Sequence, residues 1–286
     1  MTVAHGPVVI RRRLGHVLKQ LRVGRGKQLS EIAKLLEVSP SKLSRIETGH
    51  VEPKFRDVRS LLDLYEAGTE VQDQVLNWAN EAKSPGWWQP FSVRVTVDLD
   101  LYISLESEAR SVLIHSTPIS GLLQTEQYAR EMLRGAYPDM TEEEVTTLVD
   151  LRMGRQRVVA PDRSDSRPLD LHAVLDESAL HRIPGSPATM RDQLRELVTR
   201  SRQPNIVVQI LPFSAGYTSV TSTFAIFEPL SDQDWTVVNV EGTGLDTYFD
   251  TPAEVQRYRA FWDDVLASSL DPEASRAYIE NLIDRS

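Results

Sequence analysis

The spacing of apolar residues between positions 28 and 54 predicts two short helices packed across a tight turn. Six apolar side chains recur there at helical intervals, namely Ile32, Ala33, Leu36, Val38, Leu43 and Ile46. Ser39 stands where an N-cap belongs, and Pro40 follows at the first helical position, where its missing N–H costs nothing. Gly49 stands where a helix ends in a left-handed residue. We therefore expect the second helix of the pair to run from Pro40 to about Thr48.

The same periodicity predicts three more helices around this pair. A first helix, with leucine and valine every three or four residues, should follow a flexible arm of residues 1–10. Ser30 is a candidate cap for the second helix, and helices at 55–65 and 70–83 complete the set. Ser84-Pro85-Gly86 then breaks the pattern. We place the domain boundary there, with an all-helical domain at 11–85 and a second domain at 86–286.

Small polar and basic side chains cover the outer face of the helix that begins at Pro40. Such groups can reach phosphates and base edges in a DNA groove. The candidate base-reading residues are Ser41, Lys42, Ser44 and Arg45. The candidate phosphate contacts are Lys27, Gln28, Ser39 and Lys54. The same pattern would fit an ordinary helix pair in a helical core, but caps, turn and charge together favour DNA binding.

The segment from about Leu14 to Tyr65 resembles the Xre/lambda-repressor (Cro/C1-type) helix-turn-helix family. Glu47-Thr48-Gly49 followed by Pro53 is similar to that family's E-x-G-x-x-x-P ending. The resemblance implies a five-helix DNA-binding module. It also implies an ion pair between Arg22 and Glu47, which occupy the places of the family's helix 1 arginine and of the glutamate that closes the recognition helix. Pro40 stands where relatives often carry glutamine, so we expect part of the usual base contact to be absent.

Charge divides the chain in the way a DNA-binding head with a separate body requires. Residues 1–60 contain 13 Lys+Arg against 5 Asp+Glu, a net charge of +8. The remaining residues contain 19 against 36, a net charge of −17, which together give the −9 of the whole chain. A basic head gains affinity from counterion release on DNA, whereas the acidic body is repelled. Arg11, Arg12 and Arg13 either touch the DNA backbone or form a solvated helix start.

The second half of the chain shows mixed helical and strand patterns. Helices are predicted at 101–115, 121–135, 141–158, 187–202, 252–266 and 272–285. Strands are predicted at 169–174, 205–211, 222–227 and 235–240. Thr141 and Glu144 have the spacing of a capping box. We therefore expect an α+β protein, in which a five-helix domain precedes a mixed α/β domain with a roughly four-stranded sheet, either mixed or wholly antiparallel.

This second half resembles a domain found behind the same helix-turn-helix in actinobacterial regulators and known as a domain of unknown function (DUF5753). The resemblance covers about residues 87–280. It is carried by ISGLLQT at 119–125, RMGRQ at 152–156, LDESAL at 175–180 and ILPF at 210–213. It implies an actinobacterial transcription regulator, often encoded beside a small DUF397-type protein, and it implies no known ligand or chemistry. By analogy we expect a sensor or partner-binding unit that also dimerises.

Candidate chemistry in this half is limited to one group of charged and amide side chains. Arg152, Arg155 and Gln156 lie on adjacent faces of a predicted helix, near Gln124, and Glu177 follows a predicted strand. If Arg152 and Arg155 face Glu177, they could hold an anionic or zwitterionic small molecule. A structural ion-pair network that joins helix to sheet is the other interpretation, and we favour it.

Catalytic motifs are missing from the sequence. It contains no G-x-S-x-G, Walker A, H-E-x-x-H or G-x-G-x-x-G, and no cysteine. The six histidines have no recognised metal spacing. We therefore expect neither an enzyme nor a bound metal or cofactor.

No apolar run approaches the length of a membrane helix, so we expect a cytoplasmic, nucleoid-associated protein. The partners we expect are a double-stranded DNA operator, a second copy of the chain in a homodimer, and a small DUF397-type protein or an unknown small-molecule effector. The competing hypothesis is a protein-interaction or antitoxin-like module whose main role is to bind the small partner.

Overall fold

The computed structural model describes residues 7–49, 51–82, 86–91, 97–162, 167–218, 220, 222–230, 236–242 and 246–285. Contacts within the chain divide it into two compact units. The first unit takes its described residues from 7–91 and 99–108, and the second takes its own from 97–98 and 109–285. The predicted α+β class is confirmed, because the first unit is helical and the second contains a sheet with packed helices.

The first five helices of the first unit enclose a shared apolar core. The helices of this unit are α1 (Pro7–Gly24), α2 (Leu29–Leu35), α3 (Pro40–Glu47), α4 (Phe55–Leu64), α5 (Thr69–Glu81) and, from Leu99 onward, α6 (Val97–Glu108). The core is built around Leu18, Leu43, Leu61 and Tyr65, all fully buried. Because the apolar row of α1 already starts at the buried Ile10, that helix begins at Pro7, inside the segment expected to be a flexible arm. Residues 1–6 of that arm lie outside the described residues.

The second unit is built on a six-stranded mixed sheet. Its strands are β1 (Ala109–Ser116), β2 (Asp170–Asp176), β3 (Ile206–Leu211), β4 (Phe224–Pro229), β5 (Val237–Val240) and β6 (Thr247–Phe249). They lie in the order β3-β2-β1-β4-β5-β6. Strands β1, β2 and β3 are mutually parallel, whereas β4, β5 and β6 pair antiparallel. Long crossover segments separate the parallel strands, and short connections join the antiparallel ones.

Helices fill the connections of this sheet and cover it. They are α7 (Glu126–Ala136), α8 (Glu142–Arg155), α9 (Ser178–His181), α10 (Pro187–Arg200), α11 (Pro252–Ala267) and α12 (Pro272–Arg285). Trp262 and Val265 of α11 pack on the sheet face formed by Phe224, Ile226 and Val238. The expected capping box of α8 is confirmed: Glu144 N–H donates to Thr141 Oγ1 at 3.3 Å, and Thr141 N–H donates to the Glu144 carboxylate at 2.9 Å.

The sheet differs from the predicted four strands in two places. The helix predicted at 101–115 ends at Glu108, and Ala109–Ser116 forms the central strand β1 instead. A central strand with a parallel neighbour is buried on both faces, so its continuous apolar run is hard to distinguish from a buried helix. The other missed strand, β6, is only three residues long at the edge of the sheet. No helix among the described residues is long and apolar enough to cross a membrane.

Candidate DNA-binding surface

Local sequence chemistry defines both ends of α3. The Ser39 Oγ atom accepts a hydrogen bond from the Lys42 N–H at 3.1 Å, and Pro40 occupies the first position of the helix. Gly49 ends the helix with a φ of +72°. In the preceding turn Glu37 adopts a φ of +55°, and Val38 N–H donates to the carbonyl oxygen of Ala33 at 2.9 Å. These features produce two short helices joined by a tight turn, as the sequence predicts.

The inner side of α3 lies very close to α1. A Cβ atom added to Gly15 would lie 2.5 Å from the Ile46 carbonyl oxygen and 2.6 Å from that of Glu47. A Cβ atom on Gly49 would lie 2.7 Å from the Arg12 side chain. The two helices can approach this closely only because both positions are glycine. The position of α3 is therefore fixed by backbone contact as well as by its buried side chains.

Arg22 and Glu47 join the same two helices through a bidentate ion pair. The Arg22 Nε atom lies 2.6 Å from Glu47 Oε1, and Nη2 lies 2.9 Å from Oε2. Both side chains are largely buried, with 11% and 3% of their surface exposed. The hydrogen bonds to Glu47 raise the pKa of Arg22 above its ordinary value, although burial opposes them. The pair that the family resemblance implied is thus present, and it closes the end of α3.

The outer side of α3 presents three of the four candidate base-reading residues to solvent. Ser41 and Arg45 are exposed, and Ser44 is partly exposed. The Arg45 guanidinium forms no ion pair with any residue the structure describes. Lys42 differs from them, because its Nζ atom lies 2.7 Å from the Oδ2 atom of Asp57 on α4. The free donors on this surface therefore belong to Ser41, Ser44 and Arg45.

Two of the four candidate phosphate contacts already serve as helix caps. Ser39 caps α3, and Gln28 stands at the N-cap of α2, where its N–H donates to the Glu31 carboxylate at 3.0 Å. Ser30, the expected cap of α2, lies inside the helix instead, because α2 begins at Leu29. Lys27 and Lys54 are exposed at the starts of α2 and α4. Capping does not prevent the Ser39 hydroxyl group from donating its own proton to a phosphate.

The basic cluster at the start of α1 pairs with the acidic helix α6. Arg11 Nη2 lies 3.5 Å from the Oδ2 atom of Asp100, and Arg13 Nη2 lies 3.9 Å from the Oε2 atom of Glu108. Trp88 also donates its indole N–H to Asp100 at 2.5 Å. Contacts between residues far apart in sequence leave no local pattern. The roles of Asp100 and Glu108 here, and of Asp57 beside Lys42, were therefore not predicted from the sequence. Arg11 and Arg13 are thus paired with carboxylates of α6 rather than left as a solvated helix start.

The candidate pocket of the second unit separates into two groups of contacts. In the first group, Arg152 Nη1 donates to Gln124 Oε1 at 2.7 Å, and Gln156 Nε2 donates to the carbonyl oxygens of Gly121 and Gln124 at 2.9 and 2.7 Å. The pKa of Glu241 is raised, first by desolvation of its carboxyl group and then by the charge of Asp246. The charges of Arg155 and Arg152 oppose this shift. Glu241 as a residue is nevertheless exposed.

Glu177 belongs to the second group. Its Oε1 atom accepts a hydrogen bond from Tyr278 Oη at 2.6 Å and lies 3.3 Å from His181 Nε2, and its Oε2 atom accepts from Phe213 N–H at 2.6 Å. Burial acts to raise the pKa of Glu177, but these hydrogen bonds outweigh it and the pKa is lowered. The contacts of Glu177 thus tie α9 and α12 to the end of β3. None of these contacts involves Arg152 or Arg155, which the pocket hypothesis placed opposite Glu177.

Comparison with family models finds one matching model in each half of the chain. The model described as a domain of unknown function (DUF5753) matches residues 99–281, more than half of the chain. The chain belongs to this family. A second model, described as a helix-turn-helix domain, matches residues 13–75, which contain α2, α3 and α4. No curated protein and no solved structure is similar enough to match. The helix-turn-helix domain indicates a DNA-binding regulator.

The start of the DUF5753 segment does not coincide with the start of the second compact unit. The segment begins at residue 99, whereas residues 99–108 pack with the helix-turn-helix unit. At Glu108, helix α6 leads directly into β1, the central strand of the sheet. One continuous stretch of a DUF5753 protein therefore contributes to both units.

Proposed function

We propose that this protein is a sequence-specific DNA-binding regulator of transcription that reads the major groove with the outer face of α3. The observation that carries the proposal is that Ser41 and Arg45 are exposed, and Ser44 partly exposed, on a helix that packs closely against α1. Arginine donates two hydrogen bonds to guanine, and serine can bond to several bases. The exposed Lys27 and Lys54 supply phosphate contacts that fix the register of the protein on DNA.

The proposal includes a homodimer, because one short helix contacts too few bases for tight and specific binding. Two copies of α3 about 34 Å apart would match successive major grooves on one side of a duplex. A pseudo-palindromic operator is then expected. We place the dimer contacts in the second unit, whose acidic composition keeps it away from the phosphates.

The proposal also includes control through the second unit, by a small partner protein or a small-molecule effector. Helix α6 supports this idea. It pairs with α1 through Arg11–Asp100 and Arg13–Glu108, α1 contacts α3 at Gly15, and α6 continues into the central strand of the sheet. A change in the sheet that shifts α6 would reach α3 through these contacts. In the cell we expect the protein in the cytoplasm, at the nucleoid, acting as a repressor.

Selection of binding sites from a random duplex library tests the proposal. We expect the wild-type chain to enrich an inverted repeat. Arg45→Ala should weaken binding to that repeat by about 1–3 kcal/mol and relax one position of it, whereas Lys54→Ala should weaken all sequences alike. Equal losses on selected and random duplexes for Arg45→Ala would remove its base-reading role. Failure to enrich any sequence would contradict the proposed function.

A further inference from the structure

We propose that Asp57 limits the sequence-independent affinity of the DNA-binding surface by holding the Lys42 ammonium group against α4, away from phosphate. On this view Asp57 leaves the sequence reading to Ser41 and Arg45 and limits the attraction of the surface for DNA of any sequence. The inference rests on the proposed function, since it concerns the same surface of α3.

The geometry of the pair fixes Lys42 at both ends. Its Nζ atom lies 2.7 Å from Asp57 Oδ2, and its backbone N–H donates to the Ser39 cap at 3.1 Å. The Asp57 side chain is only 16% exposed, and the Lys42 side chain is 36% exposed. Asp57 lies in the first turn of α4, where the helix dipole stabilises a carboxylate. This ion pair is therefore better sheltered than a surface pair that opens freely into solvent.

The direction of the two side chains follows from helix geometry. Successive residues of an α-helix are rotated by roughly 100°, so that residues four apart share a face. Ser41 and Arg45 share the exposed outer face of α3. Lys42 is rotated away from that face toward α4, where Asp57 holds it.

A lysine that is paired with a carboxylate contributes less to the salt-dependent part of DNA binding than an unpaired lysine does. Each phosphate that a free cation neutralises releases counterions and steepens the salt dependence of log K by about 0.9 per unit of log salt. An ammonium group paired with Asp57 contributes little to this term, and the carboxylate itself repels phosphate. Because the term is independent of sequence, weakening it lowers the affinity for every duplex alike and leaves base reading to the exposed side chains of α3.

The experiment measures the salt dependence of binding to a mixed-sequence duplex between about 50 and 200 mM salt, a range in which phosphate contacts dominate. For Asp57→Asn we expect a slope steeper by about 0.9 and several-fold tighter binding at the lower salt concentration, because Lys42 is released to contact phosphate. The matched control is Asp63→Asn, which removes the same charge from an exposed position on the same helix. We expect its slope to stay close to the wild-type value.

Lys42→Gln provides an independent test that does not depend on the folding of the Asp57 variant. We expect Lys42→Gln alone to leave the slope unchanged, and the double variant to return from the Asp57→Asn slope to the wild-type slope. A slope about 0.9 shallower for Lys42→Gln alone would show that Lys42 reaches phosphate in the complex, and would overturn the inference. Identical slopes for Asp57→Asn and Asp63→Asn would overturn it too. Failure of the wild-type chain to bind any duplex would instead refute the proposed function itself.

Discussion

Arg22 and Glu47 stabilise the candidate DNA-binding surface without belonging to its outer face. Their two hydrogen bonds link the end of α3 to α1 beside the buried Tyr65. A sheltered ion pair of this kind adds little net stability over a well-packed apolar pair, but removing one partner leaves a charge without compensation in the interior. The pair therefore matters most for the position of α3.

Reversing the charge of Arg22 should show how strongly the position of α3 depends on the ion pair. We expect Arg22→Glu to lower the free energy of unfolding of the helix-turn-helix unit by at least about 3–5 kcal/mol, because it leaves two carboxylates facing each other in a buried place. Urea unfolding followed by circular dichroism measures the change. Arg25→Glu is the matched control, since Arg25 pairs with Glu66 at an exposed site and should cost no more than about 1 kcal/mol. Equal costs for the two variants would contradict the structural role of Arg22.

His115 gives the second unit a dependence on pH. Its ring is fully buried beside Phe224 in the central strand, and its Nδ1 atom has no hydrogen-bond partner among the residues that the structure describes. Burial lowers the pKa of His115, and the charge of Asp176 and a backbone hydrogen bond at Val174 oppose the shift only in part. As the pH falls below about 6.5, the ordinary value, the unfolded chain therefore takes up a proton before the folded one does.

The stability that neutral His115 contributes should be complete above about pH 6.5 and decline as the pH falls toward the lower folded-state pKa. We expect urea unfolding of the second unit to show this decline between about pH 7.5 and 5.5. His115→Leu should make the decline shallower. Some decline should remain, since burial also lowers the pKa of His172. An unchanged slope in His115→Leu would exclude His115 as its source.

Short-range signals determined which site residues could be predicted from the sequence. The Ser39-Pro40 start, the Gly49 end and the exposed positions of Ser41 and Arg45 follow from spacing within one helix. The Arg22–Glu47 pair came from a family resemblance. The contacts of Lys42 with Asp57 and of Arg13 with Glu108 join different helices. The spacing of residues along the chain does not predict such pairs.

At the scale of elements, the close approach of α1 constrains the position of α3. The backbone carbonyl oxygens of Ile46 and Glu47 occupy the space that a side chain at residue 15 would need. Backbone atoms cannot rotate away as a flexible side chain can. Any substitution of Gly15 must therefore displace one helix from the other.

Gly15→Ala should consequently weaken DNA binding at least several-fold and destabilise the first unit by about 1–3 kcal/mol through overpacking. Thermal unfolding and binding to the selected inverted repeat measure the two effects. Gly24→Ala is a suitable control, because a Cβ atom there meets nothing within 4 Å and the substitution lies at the end of the same helix. If Gly15→Ala bound and unfolded like Gly24→Ala, the described packing of α3 on α1 would be wrong.

Four helix starts of the second half were predicted to within one residue, whereas α7 begins at Glu126, after the Thr125 cap, and not at the predicted residue 121. Helices α8, α10, α11 and α12 begin within one residue of the predicted starts, each at a Thr or Ser cap or at a proline. Between α6 and β1 there is no such marker. The apolar pattern continues across Glu108, so the sequence alone could not show where helix changes to strand.

At the scale of the whole molecule, the distribution of charge along the chain agrees with the roles that we propose, namely DNA binding by the first unit and control by the second. A net charge of +8 in residues 1–60 attracts DNA. The remaining −17 is shared between the rest of the first unit, with −7, and the second unit, whose −10 keeps it off DNA. Helix α6 is the exception to this simple division, since its acidic side chains pair with the basic start of α1. The DUF5753 segment thus supplies part of the support for the unit that precedes it.

Genome-wide DNA occupancy of the tagged chain, compared with that of its Arg45→Ala variant, tests the central claim most directly. We expect sharp peaks over a shared inverted repeat for the wild-type chain, and loss of those peaks for Arg45→Ala at equal protein level. Partners that copurify from the same lysate would identify control by a small protein. An absence of peaks for the wild type, or the same peaks for both chains, would contradict sequence reading by α3.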